Sequence, residues 1–125
     1  MNRAEAIRTA DKLWGKICAW TFNQRCALCG ATGCDPHHWF YKRSNLKYRW
    51  EVNNGVYLCR ICHNEVTTVE GREKLHALIK DKYADTYWKW AMSCPPYRPE
   101  PIKTSWIIQQ ITKFQLLAKI LKMEM

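Results

Sequence analysis

Residues 26 to 63 read CALCGATGCDPHHWFYKRSNLKYRWEVNNGVYLCRICH, and the fold turns on this stretch. Its ends are two Cys-x-x-Cys knuckles, Cys26/Cys29 and Cys59/Cys62, a donor set suited to a closed four-thiolate zinc site. A plain zinc ribbon places about 15 to 20 residues between such pairs. Here 29 residues stand between Cys29 and Cys59, so a further structure is folded into the gap. Within it Pro36 argues against helix, and the aromatics of DPHHWFYK favour an extended strand. Successive side chains of a strand point to opposite faces, so His37 and His38 cannot share one role through adjacency alone. KRSNLKYRWEV reads as a polar, basic connection, NNG as a turn, and VYLC as a second strand that delivers Cys59. From Cys59 onward CRICHNEVTTVEG reads as helix, ending near Gly71.

Working outward, residues 3 to 20 place Ala6, Ala10, Leu13, Ile17 and Trp20 at helical spacing, which predicts an amphipathic helix packed on the zinc core. Its Arg3, Arg8, Lys12 and Lys16 are also candidates for phosphate contact. On the other side, residues 72 to 92 form a second helix that buries Leu75, Leu78, Ile79, Tyr83, Tyr87 and Trp90, with Trp88 off that face and His76 at the surface. SCPPYRPEP holds four of the five prolines and is an extended connector. The last segment opens with a Thr104/Ser105 cap and repeats Ile107, Ile111, Phe114, Ala118 and Leu121, a stripe for core packing or for a homodimer.

The expected architecture is therefore one α+β domain, mainly helical, over residues 1–125. It comprises an N-terminal helix (1–25), a zinc-clamped core (26–70), a supporting helix (71–93), a Pro-rich connector (94–103) and a C-terminal helix (104–125). In a chain of 125 residues a structural zinc matters: it contributes about 10 to 16 kcal/mol of apparent binding energy to folding.

Composition bounds the partner. A net charge of +9 and a pI near 9.3 point to an anionic partner, for which nucleic acid is the leading class. Residues 41 to 60 carry five basic side chains against one acidic, while residues 61 to 101 carry six of each, so much of the excess lies inside the clamp. An acidic membrane surface is the rival partner, but apolar runs long enough to span a bilayer are lacking and the N-terminus has no apolar leader core, which implies a reducing cytoplasm. Seven cysteines, two tight pairs and no leader favour metal ligation over disulfides. Cys18, Cys34 and Cys94 are then buried small residues or bystanders, and Cys34 as a competing ligand would leave a knuckle cysteine unpartnered.

The order of parts resembles the HNH nuclease family, whose ββα-metal core carries a metal ligand and a general base side by side on its first strand. An asparagine in the loop and a further ligand on the helix complete that core. DPHHW supplies the first strand, NGVYLC the asparagine and second strand, and CRICH the helix entry, so the resemblance covers about residues 26 to 66. A narrower similarity is to the phage NinG/Rap type of recombination nuclease, which carries a comparable His-His-aromatic segment, an Arg-Trp pair such as Arg49/Trp50, and an Asn-Gly before the second knuckle. For a phage gene the compartment would be the bacterial host cell.

By position, the resemblance implies that His37 and His63 hold a catalytic divalent metal, that His38 is the general base, and that Asn54 fixes the loop and so orients the base. The chemistry suits these residue types. A neutral imidazole can take a proton from water near physiological pH. A cation on two imidazoles keeps open positions for phosphate oxygens and acts as Lewis acid and template. Mg2+, Mn2+, Ni2+ and Zn2+ all remain candidates for it, the last three accepting nitrogen more readily. Where some members add another ligand one turn after the helix histidine, this chain has Thr67; Asp35 is a candidate extra ligand or a partner that orients one. Lys42, Arg43, Lys47, Arg49 and Arg60 are the expected nucleic-acid contacts, and Trp39, Phe40, Tyr41 and Trp50 are expected mainly in the core. The function implied is a metal-dependent DNA endonuclease acting on branched or recombination-intermediate DNA. The alternative is a zinc-stabilised nucleic-acid binder that does not cut.

Overall fold

Asn2 starts the first helix by a reciprocal pair of bonds: its side-chain oxygen accepts the Glu5 N–H at 2.9 Å, and the Glu5 carboxylate accepts the Asn2 N–H at 3.3 Å. A computed structural model describes residues 1–95 and 100–123, and in it this helix, α1, runs Arg3–Thr21. It ends where Asn23 and Gln24 adopt left-handed backbone angles (φ 55° and 63°), which turn the chain into the first knuckle. The remaining elements are β1 (Asp35–His38), α2 (Leu46–Arg49), β2 (Gly55–Leu58), α3 (Arg60–Glu65), α4 (Val69–Lys82), α5 (Lys89–Ser93) and α6 (Thr104–Ile120). The protein is thus mainly helical around a small antiparallel sheet.

β1 and β2 pair with Asp35 opposite Leu58 and His37 opposite Val56. This register puts Asp35, His37, Val56 and Leu58 on one face, and Pro36, His38, Gly55 and Tyr57 on the other. The second face rests on α1. A side chain at Gly55 would collide with the Trp14 indole, 2.6 Å from the position of a β-carbon, so the glycine is what lets the helix approach the hairpin.

Two cores result. One gathers Phe22, Val56, Leu58, Val66, Leu75, Ile79 and Tyr87 around the hairpin and knuckles. The other joins α1 to α6 through Ala6, Ala10, Trp14, Ile17, Ile107, Ile111 and Phe114, the alanines allowing the two helices close contact. The N-terminal helix therefore serves both cores rather than the zinc core alone. The C-terminal stripe packs on α1, with Leu121 only half-buried, and no side chain caps α6 at Thr104 or Ser105: Lys103 occupies the cap position.

Several local expectations are corrected. Gly71 does not end a helix. α3 stops at Glu65, Thr68 caps α4 by accepting the Gly71 N–H at 3.1 Å, and Gly71 lies against the Glu65 carbonyl where a β-carbon would not fit. The supporting helix is broken after Lys82 by a π turn over Ala84–Trp88. That extra residue in the turn rotates Trp88 inward, and its ring stacks on Trp39 at 6.4 Å. His76 is half-buried, with Nε2 3.3 Å from the Trp39 carbonyl, rather than a surface residue. The connection expected to be polar and basic contains the short helix α2, and Asn45, Tyr48 and Arg49 are buried there, with Trp50 in the core as expected. Within the Pro-rich connector, residues 96–99 and the extended form expected for them lie outside the described residues.

Candidate active site

The knuckles meet as their spacing requires. Cys26, Cys29, Cys59 and Cys62 bring their sulfurs within 4.8 Å of one another, and Cys29 Sγ lies 3.7 Å from Cys59 Sγ. Zinc–sulfur bonds of about 2.3 Å in a tetrahedron separate sulfurs by about 3.8 Å, so the four thiols fit a structural metal ion such as zinc. Among the described residues this is the one group of three or more potential ligands drawn together in this way. The surrounding backbone favours charge at one member. Burial pushes the Cys26 thiol up, but bonds from the Cys29, Cys59 and Leu28 backbone outweigh it and lower the thiol to about 7. Burial and the neighbouring thiols push Cys62 up.

His37 and His63 form the second cluster. Their ring centroids are 5.1 Å apart, one ring edge-on to the other. His37 projects from β1; His63 comes from α3, whose start is set by Cys59, the sulfur of which accepts the Cys62 N–H at 3.4 Å. The metal clamp and the His63 position are therefore mechanically linked. Asp35 is on the same strand face as His37 and completes the group, with Oδ2 3.0 Å from His63 Nδ1. A carboxylate accepts there, so Nδ1 donates, which in a neutral imidazole leaves the lone pair on Nε2. The other Asp35 oxygen is 3.2 Å from the Arg60 guanidinium. Burial raises the Asp35 carboxyl, but the His63 bond and the Arg60 charge hold it below its usual range. Burial, followed by the charges of His63, His38 and His76, lowers His37 to about 4 and keeps its imidazole neutral.

His38 belongs to the opposite face. Its ring stacks on Trp14 at 4.2 Å and 8° from parallel, and its Nε2 is 2.9 Å from the Arg49 carbonyl oxygen. A carbonyl only accepts, so Nε2 carries the hydrogen and Nδ1 keeps the lone pair. Burial lowers the His38 pKa, the Arg49 carbonyl bond partly opposing it. The ring lines a cleft of about 200 Å³ with Asp11, Trp14, Pro36 and Arg43. The structure thus brings His37, His63 and Asp35 together and sets His38 across the strand from them.

Asn54 is fully buried and makes four bonds to backbone. Its Oδ1 accepts the Phe40 and Tyr41 N–H groups at 3.2 and 2.9 Å, and its Nδ2 donates to the Tyr41 and Tyr48 carbonyls at 2.9 and 3.2 Å. All its hydrogen-bonding capacity is used to hold the loop between the strands, which also supplies Arg49 beneath His38.

The basic residues divide. Lys42 and Arg43 are exposed. Arg60 is exposed beside Asp35, and Lys47 is half-exposed, 3.5 Å from Glu100. Arg49 departs from the expected phosphate-contact role. Only 10% of its side chain is accessible, and it grips Asp11 with two bonds of 2.9 and 2.6 Å. Trp50 Nε1 donates to the same carboxylate at 2.9 Å. Asp11 and Trp14, both on α1, are the site residues that sequence reasoning missed; nothing in a single-helix pattern marks either as a partner of residues 38 to 50.

Comparison with known proteins gives no matching family model, no matching curated protein and no matching solved structure. The functional reading therefore rests on the residues themselves. Among the described residues no helix is long and apolar enough to cross a membrane.

Proposed function

We propose that this protein is a metal-dependent DNA endonuclease of the HNH type, in which a structural zinc on Cys26, Cys29, Cys59 and Cys62 clamps the site. The observation that carries this reading is the Asp35–His63–His37 cluster, where the Asp35 carboxylate engages His63 Nδ1 at 3.0 Å and the His63 and His37 ring centroids lie 5.1 Å apart. Such a carboxylate–histidine arrangement is how proteins orient an imidazole toward a metal. A divalent ion held by two imidazoles would supply charge neutralisation at the phosphate and at the departing oxygen.

In this reading His38 takes the proton of the attacking water at Nδ1. The Arg49 carbonyl supports the role by holding the hydrogen on Nε2, and Trp14 fixes the ring plane. Asn54 positions Arg49 and the start of the loop. Because His38 and the His37/His63 pair lie on opposite faces of β1, a phosphodiester reaching both would cross the edge of β1 that β2 does not cover. Branched or recombination-intermediate DNA is the proposed substrate, in the manner of the NinG/Rap type.

One observation favours a second reading. A histidine stacked on a tryptophan and bonded to a buried carbonyl is also what a purely structural histidine looks like, and in that case the protein binds nucleic acid through the same basic surface without cutting it. A single cleavage panel separates the two. Supercoiled plasmid, linear duplex, flap and four-way-junction DNA are incubated with Mg2+, Mn2+ or Ni2+, using wild type and His38→Ala. Metal-dependent cutting by wild type that His38→Ala lacks supports the nuclease; no cutting with any metal, alongside retained binding, supports the binder.

A further inference from the structure

On the outer side of α1, Lys12, Lys16 and Trp20 follow one another at intervals of four residues, or about 6 Å along a helix axis. Lys12 is exposed, Lys16 half-buried, and Trp20 keeps 44% of its surface open, unusual for so large an apolar ring. Lys12 and Lys16 are the shared wall of two grooves, and Trp20 lines the second of them. A groove of about 680 Å³ lies between α1 and α6 and adds Lys119; one of about 530 Å³ continues past Trp20 to Pro36. The second groove shares Asp11 and Pro36 with the cleft that holds His38. The track from Lys119 to the histidine is therefore continuous.

Its charge is free to act. Among the described residues none of Lys12, Lys16 or Lys119 has an acidic partner within 4.0 Å. Asp11, the one acid lining the track among the described residues, already accepts bonds from Arg49 and Trp50 and lies 3.5 Å from Arg43. A row of ammonium groups with no acidic partner among the described residues, ending in an exposed aromatic ring, matches an unpaired strand, whose phosphates are regularly spaced and whose bases offer a stacking face. A duplex keeps its bases stacked internally and would leave Trp20 without a partner.

We propose that this track binds a single-stranded DNA arm, with Lys12, Lys16 and Lys119 on successive phosphates and Trp20 stacked on a base, leading toward the His38 cleft. The ligand class rests on the nuclease reading, and the strand's binding is measured apart from cutting.

The test is fluorescence anisotropy of the zinc-loaded full-length protein, without added Mg2+, Mn2+ or Ni2+, on a labelled 20-nucleotide single strand and on the matching duplex. Wild type should prefer the single strand. Lys12→Gln/Lys16→Gln should lower the slope of log K against log salt by about 1.4, since each phosphate contact on a single strand contributes about 0.7. Trp20→Ala should weaken binding by about 5- to 150-fold with the slope unchanged. Wild type that cuts no DNA with any metal but still prefers the single strand leaves this result standing, so a failure of the nuclease assignment is distinguished from a failure of this proposal. Equal or tighter duplex binding overturns the proposal, as does an unchanged salt slope in the double lysine variant. Competition by polyglutamate at equal charge concentration as strong as that by unlabelled single strand also overturns it, because it shows a general anion surface that ignores bases. Lys12 and Trp20 are exposed and Lys16 is half-buried, and an unchanged thermal midpoint confirms each variant as folded.

Discussion

The imidazole of His38 lies flat against the indole of Trp14, with 4.2 Å between centroids and 8° between planes. One residue comes from the hairpin and the other from the N-terminal helix, so the orientation of the proposed base is set from outside the zinc-clamped segment. The Arg49 carbonyl, 2.9 Å from Nε2, holds the ring from its other side.

This arrangement predicts a separation of activity from stability. His38→Gln keeps a donor near the Arg49 carbonyl but has no imidazole to take a proton, and plasmid nicking should fall by about 10²- to 10⁴-fold. His38→Ala should lose the same activity and also some thermal stability, because the Trp14 face is left uncovered. Nicking by the glutamine variant at the wild-type rate would remove His38 from the chemistry.

The four-thiolate site should hold one zinc per chain. Metal analysis of freshly purified protein reads this directly, and a preparation folded at full stability with no bound metal would refute the clamp. Cys59→Ser is expected to release the ion. The same change should unfold the hairpin region, because Cys59 also caps α3 and thereby places His63.

Asn54→Ala strands four backbone groups at once, one of them buried and three partly buried. Each unsatisfied group costs about 1 to 3 kcal/mol, partly relieved by water entry, so a loss of about 3 kcal/mol or more is expected in urea denaturation. Nicking should fall in the surviving folded protein as well, since the loop that carries Arg49 is released. A loss below about 1 kcal/mol would show that the loop is held by other contacts.

Arg49 and Lys42/Arg43 should behave oppositely although all are basic. Asp11→Asn leaves the Arg49 guanidinium buried without its counter-charge, and a destabilisation of about 2 to 3 kcal/mol is expected, reduced from the fully buried case because Asp11 is 29% accessible. Arg49→Gln should therefore lower stability while leaving the salt dependence of DNA binding unchanged. Lys42→Gln/Arg43→Gln should leave stability unchanged and flatten the salt dependence; an unchanged slope would take these two residues off the interface.

The alkaline limb of stability should carry a signature of Cys18. Burial pushes its thiol up from 9.0 to about 12, with a hydrogen bond from the His37 backbone opposing. The folded state thus holds a proton that the unfolded chain releases above about pH 9, so this stabilisation is complete below that pH and is lost as pH rises toward 12. The denaturation midpoint of Cys18→Ala, compared with wild type at pH 8 and pH 10.5, should fall less steeply. Equal slopes would mean that the thiol is not protected.

The sequence by itself determined the knuckle pairing, the two strands, most of the helix stripes (though not Trp20, which is exposed, or the break after Lys82) and the identity of His37, His63 and Asn54 as residues of the clamped segment. These follow from local spacing: Cys-x-x-Cys geometry, period-two alternation and the 3.6-residue repeat each act over a few residues. Tertiary structure decided what depends on contacts between distant segments. The bond of Asp35 to His63 links residues 28 apart, and the grip of Arg49 on Asp11 links residues 38 apart, turning an expected phosphate contact into a structural ion pair. The stack of Trp14 on His38 and the π turn that brings Trp88 to Trp39 are of the same kind. A residue's type says what bonds it can make, but a charge or a ring finds its partner only when the elements carrying them are packed together. That is why the local elements and the clamp were legible in the residues, whereas the neighbours that orient each histidine were not.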